Sequence, residues 1–167
     1  MRLFIAVRFT PEIKELLKAA AVQLKQQSVS GNFTDPENLH LTLAFIGESD
    51  RISLLRDCLD RSGLPPFSIA LEGFGHFGTV WWIGIQRSRA LELLAGKLRS
   101  ALRESGFPIE ERPFKPHITI ARNVVASQKI RLAVPPASMP VTRISLMKSE
   151  RIGGRLIYSV LYGKQLK

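Results

Sequence analysis

Hydrophobic residues in this chain follow two periods, one typical of strands and one typical of helices. The runs LFIAV at 3–7 and VWWIG at 80–84 are short and almost wholly apolar, which predicts buried strands. In 11–27 and 88–104, apolar residues recur every three or four positions, which predicts amphipathic helices with one face against a core. A chain of 167 residues with this mixture fits one domain of ordinary size.

These two strand–helix pairs are related by a constant shift of 77 residues along the chain. The same shift superposes the segment HLTLAF at 40–45 on the segment HITIAR at 117–122 without a gap. Repeated supersecondary units of this kind predict a structure built from similar parts. We therefore expect a single two-lobed domain over 1–167, with repeat halves at approximately 1–77 and 78–167.

The remaining elements complete each half. We expect a helix at 51–61 and a strand at 67–73 in the first half. In the second half we expect strands near 142–149 and 156–163, which form a hairpin around the glycine pair at 153–154. The predicted fold is α+β and bilobal, with two pseudo-symmetric lobes of mostly antiparallel sheets around a central cleft and helices outside.

Segments rich in Ser, Pro, Asn, Gly or charge separate these elements. We expect loops at 28–38, 105–116 and 123–141, and also at 73–78, where the sequence is GFGHFG. The connection at 123–141 is long, and long loops are often binding lids or simply mobile.

Charge is distributed unevenly along the chain. The net charge is +10, but residues 1–77 hold 8 Lys/Arg and 9 Asp/Glu, whereas residues 78–167 hold 16 and 5. A basic half favours a polyanionic partner, most simply nucleic acid, with a basic surface kept for solubility as the alternative. No apolar run has the length of a membrane span or a signal-peptide core, so we expect no membrane association and a cytoplasmic location.

The two superposed segments place the same chemistry on two strands. Side chains alternate between the faces of a strand, so His40 and Thr42 share one face, and His117 and Thr119 share the equivalent one. If the lobes face each other, two imidazoles flank one substrate. One neutral and one protonated imidazole can act as base and acid in cleaving a phosphodiester, and the hydroxyls can hold its oxygens.

A structural role is the alternative for each motif, because a single His-x-Thr on a strand is common. Two copies in matching halves of a chain with three histidines favour catalysis. The sequence contains neither HExxH nor CxxC, so we expect no metal and no cofactor. The only cysteine, Cys58, excludes an internal disulfide and is expected to be a small buried hydrophobic residue.

Several segments resemble the two-histidine phosphoesterase superfamily. They are MRLFIAV, NLHLTLAFIG, GFGHFG, FKPHITIAR and the closing RLIYSVLYG, which together span nearly the whole chain. Within that superfamily the chain is most similar to the RNA 2′,3′-cyclic phosphodiesterases, also called 2′-5′ RNA ligases. The resemblance implies an enzyme that opens a terminal 2′,3′-cyclic phosphate to a 2′-phosphomonoester, and some family members catalyse the reverse 2′-5′ joining.

The resemblance also implies roles for individual residues. His117 is expected to be the general base that activates water, and His40 the general acid that protonates the departing 3′ oxygen. Thr42 and Thr119 are expected to hold the phosphate, with Arg122 as a further phosphate ligand. The alternation of a straight strand would aim Arg122 away from the histidines, so it reaches the cleft only if the strand bends or ends near Ala121.

Other candidates around the motifs are weaker. Lys115 could assist phosphate binding, although a solvated loop lysine is the alternative. Phe74 and Phe77 are candidates for stacking a terminal base, whereas Phe45 shares the alternation of the core residues and is expected to be buried. Trp82 is expected to pack within a strand.

Three other functions remain open at this point. The chain could be a phosphodiesterase for a small cyclic nucleotide or a 2′-5′ oligonucleotide, an RNA-binding module of the same fold without turnover, or a small-molecule binding protein. The sequence leaves open the physiological RNA and the balance between hydrolysis and ligation, and we expect a monomer.

Overall fold

The computed structural model describes residues 1–167 as two antiparallel sheets with three α-helices. The elements in chain order are β1 (Arg2–Val7), α1 (Pro11–Gln27), β2 (Ser30–Phe33), a 3-10 turn (Pro36–Asn38), β3 (Leu41–Glu48), α2 (Ile52–Arg61), β4 (Phe67–Phe77), β5 (Val80–Ile85), α3 (Arg89–Glu104), β6 (His117–Val125), β7 (Ser138–Val141), β8 (Arg143–Ile152) and β9 (Arg155–Gln165). No helix is both long and apolar enough to cross a membrane.

The two sheets are organised alike. One has the strand order β3-β1-β8-β9, and the other has the order β2-β6-β5-β4-β7. The shift of 77 residues carries β1 onto β5 and β3 onto β6, so the two histidine motifs occupy equivalent strands. Strands β2, β4, β8 and β9 cross over, and each lobe therefore draws strands from both sequence halves. The predicted bilobal α+β fold is confirmed.

The helices form where local signals predicted them. The hydroxyl of Thr10 accepts a hydrogen bond from the Ile13 amide and begins α1, and the hydroxyl of Ser88 accepts one from the Leu91 amide and begins α3. Helix α1 packs against β2 and β6, whereas α3 packs against β3 and β4. The apolar faces of these helices and sheets share one core of 39 buried residues.

Two predicted loops contain regular structure. Residues 28–38 include β2 and the 3-10 turn, and residues 123–141 include the end of β6 and all of β7. The sequence of β2, SGNF, has weak strand propensity, and it becomes a strand because it pairs with the exposed edge of β6. Residues 105–116 contain no regular element, and the predicted turn at 153–154 is confirmed, with positive φ at both glycines.

The segment 73–78 is mostly strand rather than loop, because β4 continues through Phe77. Its glycines have two separate reasons. A Cβ added at Gly75 would collide with the indole ring of Trp82 on the neighbouring strand. Gly73 and Gly78 have positive φ, a backbone conformation that favours glycine.

Candidate active site

His40 stands at the start of β3 with its ring held in one orientation. Its Nδ1 lies 2.7 Å from the carbonyl oxygen of Asn38, and because a carbonyl only accepts, Nδ1 carries the proton. Asn38 is itself buried, and its side-chain amide donates to the Leu156 carbonyl at 2.8 Å. The neutral ring therefore keeps Nε2 unprotonated and available to a substrate.

His117, at the start of β6, repeats this arrangement. Its Nδ1 lies 2.7 Å from the carbonyl oxygen of Lys115, again two residues earlier in the chain. Both histidines thus have the same tautomer and the same reactive nitrogen. Lys115 supports the ring through its backbone, while its side chain is exposed to solvent.

The two histidines border the same space. Strands β3 and β6 contact each other across the two sheets, and we call the space in front of their polar faces the central cleft. Thr42 and Thr119 lie two residues beyond the histidines and are half-buried on those faces. His117 is close enough to His40 to contribute to the lowered pKa of that ring.

His40 lies against aromatic rings. Its ring centroid is 4.8 Å from that of Phe4 and 5.2 Å from that of Tyr158, which it meets edge to face. This burial is the main reason that the pKa of His40 is lowered below its usual value of 6.5; Arg122 and His117 lower it further, whereas the Asn38 carbonyl opposes the shift. In the free protein the His40 imidazole is therefore neutral at pH 7.

His117 has two aromatic neighbours. The ring of Phe77 meets it edge to face at 5.4 Å, and the ring of Trp82 lies 6.4 Å away. The indole Nε1 of Trp82 is buried and has no hydrogen-bond partner. Trp82, expected from its sequence position to pack within the sheet, thus borders the cleft through its pairing with Thr119.

A β-bulge in each motif determines which way the residues after the threonine point. In β3, Leu43 is skipped in the pairing with β1, and in β6, Ile120 is skipped in the pairing with β5. An extra residue reverses the alternation beyond it, so Ala121 turns into the core and Arg122 turns towards the cleft. The charge of Arg122 accordingly contributes to the lowered pKa of His40, and it opposes the rise that burial causes in the pKa of Tyr158.

The bulge in β3 makes the prediction for Phe45 wrong. Phe45 pairs with Phe4 on the cleft face, and 61% of its surface is exposed. Its ring centroid lies 6.3 Å from that of Phe4. Phe45 and Arg122 therefore occupy equivalent positions in the two repeats, one apolar and one cationic.

The two stacking candidates lie on opposite faces of β4. Phe77 borders the cleft beside His117. Phe74 lies on the other face, where its ring stacks on Trp81 at 6.3 Å. The structure therefore brings Phe77, but not Phe74, to the two histidines.

Four cleft residues had no sequence signal of their own. Phe4 and Tyr158 form the aromatic surroundings of His40, and the charges of Arg2 and Arg151 act on Tyr158. They come from β1, β8 and β9, which pair side by side in the first sheet. The two-residue alternation of β1 could have placed Arg2 and Phe4 on the face opposite its core residues, but the neighbour of β1 was unknown. No group of three or more His, Cys, Asp or Glu side chains is arranged to hold a metal ion.

The comparison with protein families gives one match that spans most of the chain. Residues 7–153 match the model of the 2′-5′ RNA ligase superfamily. The chain belongs to this superfamily. Both histidine motifs lie inside the matched range.

Curated relatives align with this chain over almost its whole length. The RNA 2′,3′-cyclic phosphodiesterase of Thermotoga maritima is 34% identical, with 100% of this chain and 96% of the relative covered. The enzyme of the same name from Escherichia coli K12 is also 34% identical, with 96% and 93% covered.

Solved structures agree with the superfamily fold. Escherichia coli LigT complexed with 3′-AMP superposes with a TM-score of 0.84 at 32% identity, over 99% of this chain and 97% of that one. The protein TT0787 of Thermus thermophilus superposes with a TM-score of 0.87 at 29% identity, over 99% and 98%.

Proposed function

We propose that this chain hydrolyses the 2′,3′-cyclic phosphate ends of RNA to 2′-phosphomonoesters by metal-independent acid–base catalysis. The observation that carries the proposal is the matched pair His40 and His117, each with Nδ1 bound to a backbone carbonyl and Nε2 free at one cleft. The names of full-length relatives at about one-third identity support the substrate class.

The first half of the reaction is assigned to His117. Its unprotonated Nε2 takes a proton from water as the water oxygen attacks phosphorus. The Lys115 carbonyl keeps the other ring proton on Nδ1, so the imidazolium formed is held in place. Because Phe77 and Trp82 cover one side of the ring, the water approaches from the cleft.

The second half is assigned to His40. As the bond between phosphorus and the 3′ oxygen breaks, protonated His40 gives its Nε2 proton to that oxygen, which leaves a 3′-hydroxyl and a 2′-phosphomonoester. Burial and Arg122 lower the pKa of His40 in the free protein, so this role needs a compensating charge. The anionic cyclic phosphate offsets the charge of Arg122 and favours the protonated ring.

The phosphate oxygens are assigned to Thr42, Thr119 and Arg122. Each threonine follows its histidine by two residues on the same face, which sets a hydroxyl beside each reactive nitrogen. Arg122 adds a permanent positive charge next to His40 and Tyr158. Hydrogen bonds from these groups stabilise the charge that grows on the oxygens during attack.

The same site can open the cyclic phosphate with an alcohol in place of water. If the 5′-hydroxyl of a second RNA attacks phosphorus and the 3′ oxygen leaves, the two ends are joined through a 2′-5′ linkage, which is the activity in the superfamily's name. Both histidines come from one chain, so a monomer suffices for either reaction. An RNA-end substrate fits a cytoplasmic enzyme.

The test uses cytidine 2′,3′-cyclic phosphate in the presence of EDTA. We expect conversion to the 2′-monophosphate, and a loss of about 10²- to 10⁴-fold when either His40 or His117 is replaced by alanine. His76→Ala is the matched control, because His76 lies on the face of β4 opposite His117 and leaves this turnover unchanged. Activity that requires a divalent metal, or that survives either cleft substitution, would refute the proposal.

A further inference from the structure

A second concave surface lies outside the central cleft, and we call it the hairpin groove. It is lined by Phe74, Gly75, His76 and Trp81 of the β4–β5 hairpin and by residues 128–132 of the connection between β6 and β7. Its volume is about 780 Å³, which is within the usual range for sites that hold a small organic group.

One wall of the groove is an aromatic stack. The rings of His76 and Trp81 lie 4.6 Å apart with 20° between their planes, and Phe74 stacks on Trp81 at 18°. Trp81 is almost buried, whereas Phe74 and His76 remain exposed. Nearly parallel rings with open faces are the usual platform for an unpaired nucleic-acid base.

The opposite wall carries positive charge. Lys129 and Arg131 are exposed, form no salt bridge, and meet no acidic side chain among the residues that line the groove. Both belong to the basic half of the chain. The charge matches a phosphate backbone that runs past the aromatic rings.

The charged wall is held in a fixed shape. The side-chain amide of Gln27 binds both the N–H and the C=O of Arg131, at 2.9 and 2.7 Å. Gln23, one helical turn earlier, binds the N–H and the C=O of Ala133 in the same way, at 2.8 and 3.3 Å. Ile130 and Leu132 anchor the same segment in the core. Because this wall is already ordered, it loses little conformational entropy when a ligand binds.

The groove and the central cleft share one hairpin. Phe77 touches His117 on the cleft face, whereas Phe74 and His76 line the groove on the other face of the same strand. The hairpin tip is short, with only Gly78 and Thr79 between β4 and β5. A strand that leaves the cleft over this tip would pass onto the face of the hairpin that lines the groove.

We propose that the hairpin groove binds a nucleotide of single-stranded RNA that lies 5′ of the reacting end. A 2′,3′-cyclic phosphate is at the 3′ terminus, so the rest of the strand necessarily extends from it in the 5′ direction. The inference rests on the proposed function and names its substrate: an RNA strand of several nucleotides rather than a mononucleotide.

The test compares kcat/KM for cytidine 2′,3′-cyclic phosphate with kcat/KM for oligoribonucleotides of two to six residues that end in the same group. For the unsubstituted chain we expect a rise once the strand is long enough to reach the groove. Phe74→Leu, which keeps apolar volume but removes the ring, should lower the oligonucleotide value by about 5- to 100-fold and leave the mononucleotide value unchanged.

A second variant tests the charged wall independently. For the oligonucleotide, a plot of log kcat/KM against log salt concentration has a negative slope. Lys129→Gln combined with Arg131→Gln should reduce the magnitude of that slope by about 1.4. The matched controls are Leu93→Ala for Phe74 and the pair Lys97→Gln and Lys167→Gln for the two charges, since all three are exposed away from the groove. Groove variants that leave the ratio of oligonucleotide to mononucleotide kcat/KM unchanged would overturn the inference.

A binding measurement separates this inference from the proposed function. Fluorescence anisotropy of a labelled hexaribonucleotide that ends in a 2′-phosphate needs no turnover. Weaker binding by the groove variants but not by the controls supports the groove even if no cyclic phosphate is hydrolysed. Equal binding by all variants refutes the groove even if hydrolysis is efficient.

Discussion

Replacing Arg122 tests the link between the bulge in β6 and the chemistry of the cleft. Arg122 faces the cleft only because Ile120 is skipped in the pairing with β5. It forms no salt bridge, so Arg122→Gln removes a charge without leaving an acidic partner unpaired. The substitution should therefore have two separate consequences, one for binding of the phosphate and one for the proton on His40.

The loss of the phosphate contact sets the size of the first effect. A hydrogen bond to a charged group is worth about 1.5–3 kcal/mol, which corresponds to a decrease of about 10- to 150-fold in kcat/KM. The second effect is a change in pKa. Arg122 lowers the pKa of His40 by repelling the imidazolium, so its removal raises that pKa towards 6.5. The limb of the kcat/KM profile that follows the titration of His40 should then move to higher pH.

Two measurements check these effects. Kinetics with cytidine 2′,3′-cyclic phosphate over a range from acidic to mildly alkaline pH give the limb, and proton NMR of the ring Hε1 atoms gives the titration of His40 directly. The chain has only three histidines, so single replacements assign the signals. Arg89→Gln, at the exposed start of α3, is the matched control. A His40 titration that stays in place, together with an unshifted kcat/KM profile, would refute the reasoning.

Two further predictions address roles and stability. A cyclic phosphate with sulfur in place of the bridging 3′ oxygen has a leaving group that departs without protonation. It should therefore restore turnover to His40→Ala but not to His117→Ala. The reverse pattern in product analysis would make His117 the general acid and His40 the general base. Gln23→Ala with Gln27→Ala removes four exposed hydrogen bonds to the 131–133 segment and should lower the free energy of unfolding in urea by about 1–3 kcal/mol, whereas the exposed Gln26→Ala should leave it unchanged.

The parts of the fold that the sequence predicted are those with local signals. Helices α1 and α3 begin within one residue of their predicted positions. The spacing of their apolar residues and the hydroxyl that caps each helix can both be recognised in the local sequence. The hairpin of β8 and β9 has its own glycine turn. In contrast, β2 forms only because an edge of β6 is available for pairing, and nothing in the sequence SGNF predicts that pairing.

The candidate site shows the same division. Strand alternation and the repeat place His40, Thr42, His117 and Thr119 correctly on the polar faces of β3 and β6, because these residues precede the bulges. Beyond Leu43 and Ile120 the alternation is reversed, so the prediction for Phe45 is wrong and the doubt over Arg122 is resolved by geometry that single residues do not encode.

The paired bulges explain how a symmetric pair of histidines can act on an asymmetric substrate. Both bulges turn the third residue after the threonine towards the cleft, and that residue is Phe45 in one repeat and Arg122 in the other. The apolar ring lies near Phe4, whereas the positive charge of Arg122 acts on His40 from the opposite lobe. A cyclic phosphate is also asymmetric, with charged oxygens on phosphorus and an uncharged ribose attached to it. On the proposed assignment we therefore expect Arg122 to bind the charged oxygens and Phe45 to lie on the side of the ribose, so that the two imidazoles meet different parts of the same substrate.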